Sequence, residues 1–165
     1  MASSSRSANV VGLISDTHGL LRPEALAALQ GSRHIVHAGD IGDPAVLEAL
    51  SRIAPVTAVR GNNDTGPWAR KLRETEELRI GKTRIFVIHD LAELDLDPAA
   101  EGFDVVVAGH SHRPKEELRD GVLYVNPGSA GPRRFKLPIA VARLELSSRG
   151  PAFKLLELNL AQLVR

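Results

Sequence analysis

The sequence predicts an α/β protein, and three observations support this prediction. Short continuous apolar runs recur along the chain, beginning at residues 10–14, and such runs are typical of strands buried on both faces. Helix-like segments separate the first three runs. After residue 113 the pattern changes to paired strands joined by tight, glycine-containing turns. Alternating strands and helices followed by hairpins predict a sheet that becomes mixed or antiparallel toward the C-terminus.

The end signals of two helices are clear. Residues 23–31 begin with a Pro at the first helical position and end at a Gly, and Asp43 is a candidate N-cap before Pro44 in a helix over 43–51. Strands are predicted over residues 10–14, 35–38, 56–59, 85–88 and 105–108, with hairpin strands within 116–125 and 139–158.

Length and composition limit the class of protein. A chain of 165 residues is expected to fold as one domain, which we place at residues 10–165, after a Ser-rich flexible arm at 1–9. The absence of cysteine excludes disulfides, thiolate zinc sites and cysteine nucleophiles, and it fits a cytoplasmic protein. A net charge of +1 makes a nucleic-acid partner unexpected, and no apolar run is long enough to span a membrane.

Polar side chains follow five of the predicted strands, at the point where each strand ends. In open α/β sheets the carboxyl ends of the strands line the ligand crevice, so these side chains are expected to converge. Each position alone is ordinary turn or capping chemistry, but turn chemistry does not explain four of the six His residues at strand ends. The side chains are Asp16 and His18, Asp40, Asn62 and Asp64, His89 and Asp90, and His110 and His112.

The donor atoms of this set indicate a metal site. Carboxylate and amide oxygens together with imidazole nitrogens, without sulfur, suit Mn, Fe, Zn, Co or Ni better than Mg or Ca. Seven of these side chains, namely Asp16, Asp40, Asn62 and the four His, exceed one tetrahedral site and suffice for two metals if one carboxylate bridges them. A pair of metal ions about 3.5–4 Å apart is an arrangement used for phosphoryl transfer.

The ordered motifs D-x-H (16–18), G-D (39–40), G-N-x-D (61–64), H (89) and G-H-x-H (109–112) resemble those of the calcineurin-like metallophosphoesterases. The chain resembles the small bacterial phosphodiesterase branch of this family in its length and in the segments "AVRGNND" and "NPGS" (126–129). That branch shares its fold with the retromer scaffold subunit. The resemblance covers roughly residues 10–160. It implies a four-layer α/β/β/α sandwich of two mixed sheets with flanking helices.

The resemblance also implies how the site is built. One divalent metal would be held by Asp16, His18 and His112, and the other by Asn62, His89 and His110. Asp40 would bridge the two ions, with Mn as the first expectation. A bridging hydroxide would then attack phosphorus. Asn63 and Asp64 are the candidate catalytic residues beside the metals, Asp64 as an acid that orients ligands; Asp43 could share that role or simply cap a helix.

The sequence departs from the family pattern at two positions. The family has His after Gly-Asn, where this chain has Asn63, and Gly after the lone His, where it has Asp90. Asn63 cannot give up a proton to a leaving group. Asp90 opens an acidic stretch, residues 90–104, which would repel long polyanions if it lies at the rim of the site.

Several other residues have an ordinary structural interpretation beside a functional one. His37 could reach the pocket or pack in the sheet, Trp68 is favoured as a core residue over a stacking surface, and loop 126–129 is given a structural role. A basic loop at 132–136 could bind a second phosphate but is expected to be solvated. His34 is expected at a solvent edge, and Arg60 at a strand end.

The motifs therefore predict a dinuclear metal-dependent phosphoesterase that hydrolyses small phosphodiesters in preference to monoesters. Its partner would be a small phosphorylated substrate, and a homo-oligomer is left open. A non-catalytic protein-interaction scaffold on the same fold is the main alternative, although a scaffold has no need for seven ligands. A nuclease is the other alternative, and the near-neutral charge and the acidic stretch disfavour it.

Overall fold

The computed structural model describes residues 9–160, and these form two five-stranded mixed sheets. The first sheet contains β1 (Val10–Ile14), β2 (His34–His37), β3 (Val56–Ala58), β9 (Ala140–Ser147) and β10 (Gly150–Glu157), in the order β10-β9-β1-β2-β3. The second contains β4 (Thr75–Ile80), β5 (Thr83–Ile88), β6 (Val105–Val107), β7 (Lys115–Arg119) and β8 (Val122–Asn126), in the order β4-β5-β6-β8-β7.

The helices are short. They are α1 (Pro23–Ala28), α2 (Pro44–Ser51), α3 (Pro67–Arg70) and α4 (Pro98–Glu101), with a 3-10 turn at Leu91–Glu93. Each α-helix starts with a Pro, whose fixed φ suits the first helical position. Across residues 9–160, no helix has the length and apolar character needed to cross a membrane.

Three apolar clusters hold the layers together. The central cluster joins the inner faces of both sheets, for example Val11 and Leu13 of β1 with Val105 and Val107 of β6. A second cluster packs α1 and α2 on the outer face of the first sheet, and a third packs the 3-10 turn and neighbouring loops on the outer face of the second sheet. Burial of each such side chain is worth about 1.5–3 kcal/mol. This arrangement confirms the predicted α/β/β/α sandwich.

The strand directions bring the polar strand ends to one place. In the first sheet β1, β2 and β3 are parallel, with Ile14 opposite His37 and His37 opposite Ala58. In the second sheet β5 and β6 are parallel, with Val87 opposite Val107. The loops that follow β2 and β5 meet between the sheets, where the His89 ring contacts a backbone carbonyl beyond β2. The predicted crevice therefore lies where the carboxyl ends of both sets of strands meet.

Some elements differ from their predicted extent. Helix α1 ends at Ala28, because a turn over 29–31 follows it, and Gly31 has a positive φ of 86°. Strand β4 was not predicted.

Two predictions for single residues are confirmed. Asp43 caps α2, since its side chain accepts a hydrogen bond from the Ala45 N–H, and Trp68 packs against the second cluster. The predicted arm at 1–9 lies outside the described residues except for Asn9.

Candidate metal centre

The loops that carry the candidate ligands have an uncommon backbone conformation. Five of the predicted ligands have positive φ angles, which cost L-residues roughly 1–2 kcal/mol each. This conformation turns the chain sharply as it leaves the sheet. Clustering of such residues at one place is typical of a functional site. The five are Asp16 (56°), His18 (49°), Asp40 (56°), His110 (72°) and His112 (63°).

Two glycines let these loops approach one another. A Cβ added to Gly39 would lie 2.6 Å from the His89 Nδ1, and one added to Gly61 would overlap the Asp40 carboxylate. Neither position can carry a larger side chain without displacing a candidate ligand. This explains why a Gly precedes Asp40 and Asn62 in the G-D and G-N motifs.

Asp16 lies at the centre of the cluster. Its Oδ1 is 3.5 Å from the His112 Nε2 and 3.9 Å from the Nε2 atoms of both His18 and His89. Its Oδ2 is held by the Ser15 hydroxyl at 2.6 Å and by the His110 backbone N–H at 3.1 Å. One carboxylate oxygen is therefore fixed by the protein and the other faces three imidazoles.

Asp40 stands between two of the same imidazoles. Its Oδ2 is 3.8 Å from the His18 Nε2 and 3.4 Å from the His89 Nε2. The His89 Nδ1–H donates to the Ala38 carbonyl at 2.7 Å, which leaves Nε2 as the nitrogen with a free lone pair in the neutral ring. The His89 nitrogen that could bind a metal ion therefore faces the Asp40 carboxylate.

His110 is the most exposed of the four histidines. Its side chain is 45% exposed, and its Nδ1 lies 3.3 Å from the His89 Nε2. Its other ring nitrogen, Nε2, lies 3.7 Å from Asp90 Oδ2. Asp90, which replaces the family's Gly, therefore pairs with a candidate ligand, and its Oδ1 also accepts a hydrogen bond from the Ala92 N–H.

The two asparagines of the G-N-x-D motif have different surroundings. Asn62 is exposed and lines a cavity together with His89. Asn63 holds Asp40, because its backbone N–H donates to Oδ1 at 2.9 Å and its side-chain Nδ2 donates to Oδ2 at 3.0 Å. Asn63 thus orients the carboxylate that was predicted to bridge two metals.

Asp64 connects two loops. It is 5% exposed, and its carboxylate accepts hydrogen bonds from the backbone N–H groups of Ile41, Gly42 and Gly61, at 3.2, 2.9 and 2.9 Å. These groups lie in the loops after β2 and β3, which carry Asp40 and the asparagines. The contacts of Asp64 are those of a positioning residue.

His37 packs in the interior and does not reach the cluster as a proton donor. The Gly39 N–H donates to its Nδ1, so Nε2 carries the proton and donates to Thr17 Oγ1 at 3.0 Å, and the Thr17 hydroxyl donates to the Ile41 carbonyl. Complete burial lowers the pKa of His37 from 6.5 to about 4. It is a neutral structural residue of the β2 loop.

The charges of the cluster favour a cation. Burial alone would raise the pKa of Asp16, but the charge contact with His112 at 3.5 Å and the hydrogen bond from Ser15 outweigh it and lower the pKa. Burial would also raise the pKa of Asp40, but the contacts with His89 and with the Asn63 N–H outweigh burial and lower the pKa. For His89 burial lowers the pKa, and the Asp40 contact reverses this and raises it. Two ionised carboxylates thus face neutral or positive rings in a largely buried space.

The donor set fits divalent metal ions. Asp16 Oδ1 and His18 Nε2 are buried and make no hydrogen bond to the described residues. Ligand atoms at about 2.0–2.2 Å from a metal ion lie about 3–4 Å apart, which matches the 3.4–3.9 Å separations given above. Within the described chain, two groups have converging ligand atoms: Asp16, His18 and His112, and Asp16, Asp40 and His89.

The loop after β8, residues 126–129, has the structural role expected for it. Asn126 donates from Nδ2 to the Gly109 carbonyl and to Ser111 Oγ, and the Ser129 hydroxyl donates to the Asp16 carbonyl. Ser15 is a residue that the motifs did not single out. Its place directly before Asp16 in the first motif was the available signal for its role in fixing Asp16 Oδ2.

Comparison with known proteins identifies the family. The model of the calcineurin-like phosphoesterase superfamily domain matches residues 10–149. A probable metallophosphoesterase of Methanothermobacter thermautotrophicus is 37% identical, over 82% of this chain and 86% of the relative. Phosphodiesterase YfcE of Escherichia coli is 33% identical, over 70% of this chain and 76% of the relative.

A solved structure of Vps29 from Entamoeba histolytica complexed with Zn²⁺ has the same fold, with a TM-score of 0.65 and 20% identity over 91% of this chain and 99% of Vps29. The sequence match, the motif order and the shared sandwich agree, and the chain belongs to the calcineurin-like phosphoesterase superfamily.

Proposed function

We propose that the protein is a dinuclear metal-dependent phosphodiesterase that hydrolyses small phosphodiesters. The observation that carries the proposal is the Asp16 Oδ1 atom, which is buried, makes no hydrogen bond to the described residues and faces three imidazole nitrogens at 3.5–3.9 Å. A buried carboxylate oxygen without a partner is costly unless a cation binds it. The names of the related metallophosphoesterases support the same conclusion.

In this proposal Asp16, His18 and His112 would hold one metal ion, and Asn62, His89 and His110 would hold the other. Asp40, whose Oδ2 lies within 3.8 Å of an imidazole from each group, would be shared between the two ions. Two divalent ions, preferentially Mn²⁺, would supply a hydroxide at neutral pH and offset charge on the phosphate oxygens.

The remaining residues of the site orient the ligands. Asn63 fixes both oxygens of Asp40, and Asp64 ties together the two loops that carry Asp40 and Asn62. Asn63 is exposed, so its amide can also donate a hydrogen bond to a phosphate oxygen. It supplies no proton to the leaving group.

The preference for small substrates follows from charge near the site. Asp90, Glu93 and Asp95 line the cavity that Asn62 and His89 also line, and they would repel a polyanionic chain. The cytoplasmic location suggested by the lack of cysteine is part of the same proposal.

The proposal is tested by adding Mn²⁺ to chelated protein and following hydrolysis of bis(p-nitrophenyl) phosphate and of p-nitrophenyl phosphate. The expected result is turnover that requires the metal and is faster with the diester. Asp16→Ala, which removes the central carboxylate, should abolish turnover. Metal-dependent turnover of the monoester alone would contradict the proposed diester preference.

A protein-interaction scaffold is the second candidate, and metal binding alone does not exclude it. The Vps29 structure that shares this fold contains Zn²⁺, so metal binding alone does not separate an enzyme from a scaffold. Turnover does separate them. A protein that binds metal and leaves both esters intact would favour the scaffold.

A further inference from the structure

A small cavity of about 190 Å³ lies next to the candidate metal centre. Its floor is apolar and belongs to the outer face of the second sheet, where Val106, Ala108 and Tyr124 are 1%, 6% and 9% exposed. Leu91 of the 3-10 turn closes one side. These four residues belong to the third apolar cluster, so the cavity continues an existing hydrophobic surface.

The polar groups around this floor are engaged within the protein. Asn126 donates to the Gly109 carbonyl and to Ser111 Oγ, while its Oδ1 accepts from the Gly128 N–H. Lys115 Nζ forms an ion pair with Glu117 at 3.1 Å. A ligand in this cavity would therefore gain chiefly from apolar contact.

The cavity opens onto the metal centre itself. His110, a candidate ligand, lines it, and so does Asp90, whose Oδ2 is 3.7 Å from the His110 Nε2. A phosphate held at the centre would thus lie at the mouth of the cavity. We propose that the cavity binds one apolar, ring-sized arm of the phosphoester substrate; this inference rests on the function proposed above.

The volume sets the size of that arm. An apolar cavity of about 150 Å³ is large enough for benzene, so 190 Å³ accommodates one six-membered ring and excludes a fused ring system with an attached sugar. Tyr124 contributes an apolar wall; it is 9% exposed, and the Arg119 guanidinium covers one face of its ring at 4.2 Å from the centroid.

The second cavity differs in size and chemistry. It measures about 680 Å³ and carries Arg60, Arg73 and Glu74 together with the acidic residues named above. Asp90 lines both cavities, whereas the end of β5 before it, with Ile88, lines only the second. A diester has two arms, and this arrangement assigns its apolar arm to the small cavity and its polar arm to the large one.

The test compares phenylphosphonate with methylphosphonate, which share a headgroup and differ by the ring. Dissociation constants are measured by calorimetry on the full chain loaded with Mn²⁺. We expect phenylphosphonate to bind about ten- to hundredfold more tightly, the factor that corresponds to burial of a Phe-sized group. Ala108→Leu fills the floor and should bring the ratio of the two constants close to one, with methylphosphonate unaffected.

Two further variants complete the design. Ala108→Val adds less volume to the floor and should lower the ratio partially, which keeps the test available if the Leu variant does not fold. Ala152→Leu makes the matched change at an exposed position of β10 in the other sheet and should leave both constants unchanged.

Equal affinity for the two phosphonates in the wild-type protein would overturn the inference and leave the proposed function standing. An unchanged ratio in a folded Ala108 variant would overturn it as well. Failure of both phosphonates to bind the metal-loaded protein would overturn the proposed phosphoester site and this inference together.

Discussion

Replacement of Asp64 by Ala should strongly destabilise the protein, because the Asp64 carboxylate satisfies three backbone donors at once. The N–H groups of Ile41, Gly42 and Gly61 donate to it at 2.9–3.2 Å, and the residue is 5% exposed. A hydrogen bond to a charged group contributes about 1.5–3 kcal/mol. The three bonds share one acceptor group, so their contributions do not add fully. We therefore expect the free energy of unfolding to fall by about 3–6 kcal/mol, a large part of the total of about 5–15 kcal/mol for a typical domain.

Urea denaturation of the chelated protein measures this loss as a change in the free energy of unfolding. Asp64→Asn is the matched variant. Its amide keeps one acceptor oxygen but turns an N–H₂ group toward a backbone donor, so about 1.5–3 kcal/mol should be lost. A loss below about 1 kcal/mol in Asp64→Ala would refute the reasoning that this carboxylate holds the two loops together.

Three further predictions concern neighbouring residues. Asp40→Asn should reduce phosphodiester turnover more than a substitution of any other metal ligand. The loss should exceed the roughly 10–100-fold that is typical when a residue hydrogen-bonded to a metal ligand is changed. Near-normal turnover would exclude a bridging carboxylate. His37 is buried with its pKa lowered from 6.5 to about 4, so the unfolded chain binds more protons and stability should fall by about 3 kcal/mol as pH drops from 6.5 to 4. His37→Gln should remove that part of the slope in chelated protein, and an identical slope would contradict it. Rates should fall more steeply from nitrophenyl to alkyl leaving groups in the wild type than in Asn63→His, because general acid catalysis is worth roughly 10²–10⁴-fold; equal slopes at matched metal content would show that position 63 is not the missing acid.

The sheets and the location of the site could be predicted because short apolar runs and their polar ends are local patterns. The run at 10–14 became β1 without change, and the residues after five strands lie together where the ends of the two sheets meet. Strand β4 was missed because its charged residues alternate with partly buried ones. It therefore has no continuous apolar run of the kind that identified the other strands.

The roles of individual site residues depended on tertiary contacts. The Pro after Asp43 marked that residue as a helix cap, but nothing in the local sequence showed that Asp64 accepts hydrogen bonds from three backbone donors. His37 was left open between pocket and core, and only the partners of its two ring nitrogens assign it to the core. The pairing of Asp90 with His110 joins loops of two strands and was equally out of reach.

The central claim is that the protein binds two metal ions and uses them to hydrolyse phosphodiesters. Its most direct test is a titration of metal-free protein with Mn²⁺ in which bound ions per chain and phosphodiester turnover are followed in the same samples. If both ions are needed, binding reaches two ions per chain and turnover reaches its plateau with the second ion. Full turnover with one bound ion, or two bound ions without turnover, would contradict it.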